Sequence, residues 1–254
     1  MTEVERYLFD LQGYLIVENV LAVETVAELN RLIDAQEMGA DVEQAQGRLH
    51  TGGFLTWGQP FVDLLDHERI MPLLKVILGD GFRLDHYYAI YLEAGAERLG
   101  LHGGNTPYDP PEYYHFRNGQ MYNGLTVVSW NLADTGPAQG GFCCIPGSHK
   151  VNYPCPPEIR EAHVEAGCVV VPEAKAGSVV IFTEALTHGT APWRAAHQRR
   201  SLLFKYSPGQ QSWSRGHIQP PDGVALTERQ ALLFEPPYFH ARASLFEEVE
   251  RKAK

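Results

Sequence analysis

The sequence predicts a mainly β fold with helical additions, a double-stranded β-helix of the jelly-roll, cupin-like kind. Three observations carry this. Short apolar segments rich in Val, Ile and Tyr recur between Phe82 and Tyr206. Turn residues punctuate them, as at Glu93-Ala-Gly95-Ala and Pro146-Gly147. Helical spacing, by contrast, lies mostly at the N-terminal end.

Taken in order, Thr2 and Glu5 form a capping-box pattern for a short helix ending before Gly13. Tyr14 to Val17 reads as a strand. Val26, Leu29 and Ile33 keep helical spacing within roughly Ala22 to Gln36. Met38 to Pro60 is Gly-rich without a clear period and reads as loop. Asp66 is placed to cap a helix from His67 to Leu78, bent or broken at Pro72. Strands are expected at Phe82 to Leu92 and Met121 to Leu132, with a short one in Gly140 to Ile145. Further strands are expected at Cys168 to Val171, Ser178 to Phe182 and Arg200 to Tyr206. Asn105 to Asn118, with three prolines and four aromatic residues, reads as an excursion over a site. Thr227 and Gln230 suggest a capped helix, and Ala243 to Lys252 a terminal one. No internal boundary is visible, so residues 1–254 are read as one domain.

The 254 residues carry 21 basic and 31 acidic side chains, a net charge of −10. No basic block relieves that balance, which argues against nucleic acid or an anionic membrane as partner. No apolar run approaches a membrane span, and the first residues lack a signal peptide's basic start and apolar middle. Cys143, Cys144, Cys155 and Cys168 form no CxxC pair. The reading is a reduced, cytoplasmic chain without structural zinc.

The chemistry centres on Phe182 to Tyr206. His188 closes one apolar run, and Arg199 stands at the head of the next. Side chains alternate along a strand, so Arg199, Ser201 and Leu203 share a face. Two histidines and a carboxylate hold iron(II) on one side and leave other positions open. Arginine's planar fork suits the far carboxylate of a 2-oxoglutarate molecule that chelates the metal through its keto acid end. His102 is the candidate second histidine. The usual carboxylate would stand at i+2, on the same face of an extended segment, but that residue is Gly104. Arg200 points to the opposite face and reads as an ion-pairing residue. His149 reads as structural.

The chain resembles the phytanoyl-CoA dioxygenase family of iron(II)/2-oxoglutarate oxygenases over nearly its whole length. The marks are Phe9-x-x-x-Gly13-Tyr-Leu-Ile-Val, Tyr91-Leu-Glu-Ala-Gly95 and Trp130-Asn-Leu-Ala-Asp134. They continue through Gly140-Gly-Phe-Cys-Cys-Ile-Pro-Gly-Ser-His149 and Gly177-Ser-Val-Val-Ile-Phe182, with Arg199 eleven positions after His188. The resemblance implies a jelly roll that uses iron(II), 2-oxoglutarate and oxygen on a small-molecule substrate. It implies His102 and His188 as metal ligands and Arg199 with Ser201 as the 2-oxoglutarate anchor. Asn131 and Thr126 lie on the strand that family members place behind that cofactor.

Gly104 departs from the family's hydroxylases, which carry an acid there; related halogenases carry glycine or alanine, and chloride fills the site. The expected outcome is therefore hydroxylation or halogenation of an aliphatic C–H bond. Other readings stay open: Asp109 or Glu112 folding back to supply the carboxylate, water in the gap, or a retired scaffold that only binds a metal or small molecule. Tyr87, Tyr88 and Tyr91 read first as sheet packing, with Tyr87 and Tyr91 as substrate candidates because alternation can aim that pair at the active site. Tyr108, Tyr113, Tyr114 and Phe116 are candidates for a substrate lid or, equally, for plain loop packing.

Overall fold

A computed structural model describes residues 1–36, 43–45, 48–104 and 106–247. Helix α1 (Glu3–Gln12) starts at Thr2, whose side chain and that of Glu5 close the expected capping box, and it ends at Gly13 with φ of 82°. Strand β1 (Tyr14–Val17) and helix α2 (Val23–Asp34) follow, the latter burying Val26, Leu29 and Ile33. The stretch read as loop before Pro60 holds β2 (Glu43–Ala45), β3 (Arg48–Thr51) and a 3-10 turn, Phe54–Trp57, with α3 (Gln59–Val62) at its end. Helix α4 (Met71–Leu78) carries Pro72 in its first turn, where a missing N–H costs nothing, so the proline starts the helix and does not break it. Asp66 accepts from Arg229 and Gln230 and is not a cap.

The strand-rich part contains β4 (Arg83–Leu92), β5 (Leu99–His102), β6 (Tyr114–Arg117), β7 (Gln120–Asn123), β8 (Thr126–Asn131) and β9 (Gly141–Cys144). Helix α5 (Pro157–Ala162) precedes β10 (Val179–Thr183), β11 (His188–Ala191) and β12 (Arg199–Ser207), and α6 (Glu228–Leu233) follows. The single strand expected over Met121 to Leu132 is two, because Gly124 turns between them. A Cβ at Gly124 would meet the Pro111 carbonyl at 2.2 Å. Cys168 to Val171 makes only an isolated bridge, Val170 to Cys144. Of the terminal helix expected over Ala243 to Lys252, residues 248–252 lie outside the described residues, and Ala243 to Phe246 are not helical.

Among the described residues, the strands form a seven-stranded sheet ordered β1-β10-β8-β12-β4-β3-β2, a three-stranded sheet β5-β11-β9, and the hairpin β6-β7. The named ladders are antiparallel. This is the jelly roll expected. The large sheet is covered on both sides, so its strands read as continuous apolar runs. Its outer face, with Leu15, Tyr91, Val128, Trp130, Ile181, Leu202 and Phe204, packs on the helices. Its inner face, with Ile90, Val127, Val180, Phe182 and Leu203, meets Phe142, Cys144 and Leu186 from the small-sheet side.

His149 locks the N-terminal helix to this frame. It is fully buried, its Nε2–H donates to the Asp10 carbonyl at 3.0 Å, and its Nδ1 has no hydrogen-bond partner. Burial, then Lys150, lowers its pKa from 6.5 to about 4. The folded state thus holds the ring neutral where the unfolded chain protonates it. Its contribution to stability is complete above about pH 6.5 and is lost as pH falls through about 4. The melting temperature is expected to drop between pH 7 and pH 5, and the drop to shrink in a His149→Gln variant. A pH profile identical in both proteins contradicts this.

Candidate active site

The pairing of β5 with β11 sets His102 directly opposite His188, and their ring centroids lie 4.3 Å apart. Each ring is fixed in the same way. Nδ1–H of His102 donates to the Gly100 carbonyl at 2.9 Å, and that of His188 to the Leu186 carbonyl at 2.7 Å. A backbone carbonyl two residues upstream therefore selects the tautomer, and Nε2 keeps its lone pair on both rings. His188 is buried against Phe182, at 4.8 Å between centroids. Burial outweighs the attraction of Glu184 and brings its pKa down to about 4. It is neutral near pH 7, as a metal ligand must be.

The cavity around the imidazoles is walled by Phe142, Phe182, Tyr88, Ile90, Ser129 and Leu203, with Glu184, Arg199 and Lys205 as its charged members. Arg199 is buried at the head of β12. On the same strand face, Ser201 lies opposite Asn131 and its Oγ donates to Asn131 Oδ1 at 3.4 Å. Thr135, not foreseen, accepts from Asn131 Nδ2 at 3.5 Å and packs beside Gly141. A Cβ at Gly141 would stand 3.4 Å from Arg199 Nε, so the guanidinium lies against the small sheet. Arg200 turns outward to Asp34, Asn30 and Gln198.

Several expected positions are corrected. Thr126 pairs with Tyr206, five residues along from Ser201's partner Asn131, and alternation puts it on the outer face with Val128 and Trp130. Its hydroxyl donates to the Gly124 carbonyl. Tyr87 and Tyr91 also face outward: Tyr87 packs on Phe54 and Phe204, and Tyr91 sits in the helix-facing core. Tyr88 and Ile90 line the cavity instead, a displacement of one residue that reverses every side chain. Tyr108 is exposed and Tyr113 stacks on His115 at 5.3 Å; neither lines the cavity. Asp109 and Glu112 bridge to each other and stand outside it. Trp213 Nε1 donates to Glu112, whose pKa rises to about 7 through burial and the nearby Glu184 and Asp109.

Gly104 is not an extended continuation of β5. The strand ends at His102, and Gly103 and Gly104 take φ of 72° and 101°. A Cβ at Gly104 would face Thr187 Oγ1 at 3.1 Å. The residue lines a second cavity of about 300 Å³, with Thr187, Ser148 and Ile145, and not the one that holds the imidazoles. Gly103 is the tighter constraint, because a Cβ there would meet the Glu184 and Leu186 carbonyls at 2.7 and 2.9 Å. Gly103→Ala is expected to lower stability by about 1–3 kcal/mol through left-handed strain and overpacking. A thermal melt checks this, and an unchanged melting temperature contradicts it.

Glu184 and Lys205 escaped the sequence reading. Glu184 is buried, and its Oε1 accepts from Lys205 Nζ at 2.7 Å. Burial works against its charge, yet Lys205 and the imidazoles hold its pKa down to about 2. Lys205 shares the inner face of β12 with Arg199, Ser201 and Leu203, so alternation was the available signal for it. As the side chains stand, no three His, Cys, Asp or Glu among the described residues are gathered to hold a metal. The donor set that fits iron is the pair of facing imidazoles whose Nδ1–H groups are both taken by backbone carbonyls.

The family model for phytanoyl-CoA dioxygenase matches residues 9–201, more than half the chain. The chain belongs to the phytanoyl-CoA dioxygenase family. Membership makes it an iron(II)- and 2-oxoglutarate-dependent oxidoreductase. Ectoine dioxygenase of Sphingopyxis alaskensis is a 25% identical relative over 213 residues, covering 72% of this chain and 68% of that protein. HygX of Streptomyces hygroscopicus, solved with nickel and 2-oxoglutarate bound, shares the fold at a TM-score of 0.74 and 22% identity, over 85% of this chain and 90% of that one. The non-heme α-ketoglutarate-dependent epimerase SnoN from nogalamycin biosynthesis has a TM-score of 0.62 and 18% identity, over 90% and 96%. No helix among the described residues is long and apolar enough to cross a membrane.

Proposed function

We propose that this member of the phytanoyl-CoA dioxygenase family hydroxylates an aliphatic C–H bond of a small molecule, with His102 and His188 as metal ligands and Arg199 as the 2-oxoglutarate anchor. The observation that carries the reading is the opposition of two tautomer-fixed imidazoles in a cavity that also holds a buried arginine. Iron(II), when bound, would let oxygen react, one oxygen atom passing to 2-oxoglutarate as it becomes succinate and carbon dioxide and the other to the C–H bond. The protein's own residues do the rest. Arg199 takes the far carboxylate as a charge-assisted pair, with Ser201 and Asn131 beside it. Phe142, Phe182, Leu203 and Ile90 exclude water and strengthen that pairing. Small-molecule action is in keeping with the names of two similar proteins, ectoine dioxygenase and HygX with hygromycin B bound.

Hydroxylation is preferred to halogenation here because a Cβ at Gly104 would face Thr187 Oγ1 and the residue lines the second cavity. Purified protein supplied with iron(II), 2-oxoglutarate and oxygen is expected to release succinate above a His102→Ala control. The rate is expected to be the same with and without chloride. Chloride-dependent turnover would favour the halogenase. Iron binding with no succinate under any condition would favour a retired scaffold.

A further inference from the structure

We propose that Glu184 is the carboxylate of this metal centre, reached from the loop before β11 and not from position 104. The inference rests on the reading of His102 and His188 as ligands. Glu184 lies four residues before His188, between β10 and β11. Its backbone is fixed on both sides: its N–H donates to the Leu125 carbonyl at 2.9 Å, and its carbonyl accepts from Gly104 N–H at 3.2 Å. The side chain is nearly fully buried and its two oxygens face different partners. Oε1 takes the Lys205 ammonium at 2.7 Å. Oε2 stands 3.8 Å from His188 Nε2, the nitrogen that the Leu186 carbonyl leaves free for a metal.

That separation is informative. Two donors each about 2.1 Å from one metal are about 3 Å apart at right angles and about 4 Å apart when opposite. Ligands on one side of the ion need the shorter spacing, so Oε2 and Nε2, at 3.8 Å, would close by about 0.8 Å when a metal binds. His102 completes the group from across the ladder, its ring 4.3 Å from that of His188. Lys205 would then act as a positioning residue, holding one carboxylate oxygen so that the other is presented to the metal. The glycines at 103 and 104 gain a purpose in this arrangement. They let the chain pass against the Glu184 and Leu186 carbonyls, which a Cβ at 103 would strike.

The bland alternative is a buried ion pair in which Glu184 only neutralises Lys205. The two are separable by Mn(II) binding to the metal-free protein, followed by calorimetry and by electron paramagnetic resonance of free Mn(II). If Glu184 is a ligand, Glu184→Gln weakens Mn(II) binding at least about 10-fold. The double variant Glu184→Ala/Lys205→Met does the same while leaving no uncompensated buried charge, so its metal-free melting temperature reports that the fold is intact. Mn(II) affinity equal to the wild type in both variants would leave Glu184 as a counter-ion and overturn the proposal. A wild type that binds no Mn(II), or a His188→Ala variant that binds it as tightly as wild type, would instead remove the two-histidine reading beneath it.

Discussion

Replacing His188 with alanine is expected to abolish succinate formation and to weaken divalent metal binding by at least about 100-fold. Even the outer partners of metal ligands are worth about 10–100-fold, and under the proposed assignment a direct donor is lost. The loss would not be compensated locally, because the donor atoms around the ion are few. Among the described residues His102 is the imidazole facing it, and Glu184 is tied to Lys205. The fold should survive with reduced stability. The ring packs on Phe182 and Phe142, and its removal leaves a cavity and an unpaired Leu186 carbonyl, a cost of about 2–5 kcal/mol. Circular dichroism and a thermal melt establish folding, and calorimetric titration with Mn(II) measures affinity. His102→Ala should lose as much metal affinity but less stability, because His102 is exposed where His188 is buried. Unchanged affinity in a folded His188→Ala protein would contradict the assignment.

The contrast between these histidines also shows what sequence can carry. The placement of His188, Arg199 and Ser201 was legible because they sit on strands, where a two-residue period fixes which side chains share a face. The same rule failed for Tyr87 and Tyr91. The large sheet is apolar on both faces, so composition does not say which face is inside, and a choice one residue off reversed all of β4. Thr126 rested on the family resemblance and not on alternation, which by itself sets residues 126 and 131 on opposite faces. The rule failed at Gly104 because it presumes extended backbone, and two successive left-handed glycines end β5 at His102. Glu184 was invisible for a different reason. It lies in a four-residue connection, Glu184 to Thr187, whose shape depends on the Gly103 and Gly104 backbone across from it. Helices were easier: both capping boxes form as written, since a cap is a local contact within four residues.

Arg199→Met is expected to raise the KM for 2-oxoglutarate by about 30-fold to several thousand-fold, while Mn(II) affinity stays close to wild type. Removing one partner of a buried charge pair costs about 2–5 kcal/mol, most of it the desolvated charge left behind. Here that charge would be the far carboxylate of the diacid, in a wall of Phe142, Leu203 and Ile90 that offers it no water. Position supports the role. Arg199 Nε lies beside Gly141, which pairs with Ala191, three residues from His188. That is about 10 Å along the strand, a span suited to a five-carbon diacid that chelates a metal at one end. Arg199→Lys should recover only part of the loss, because an ammonium cannot reproduce the planar two-donor fork. Ser201→Ala should cost far less, about 0.5–1.5 kcal/mol for one hydrogen bond, since Asn131 and Arg199 remain. Steady-state kinetics with 2-oxoglutarate varied at fixed iron(II) separate these cases. A change in kcat with KM untouched would mean that Arg199 does not grip the cosubstrate, and the anion would then have to be sought at Lys205, the other cation of the cavity.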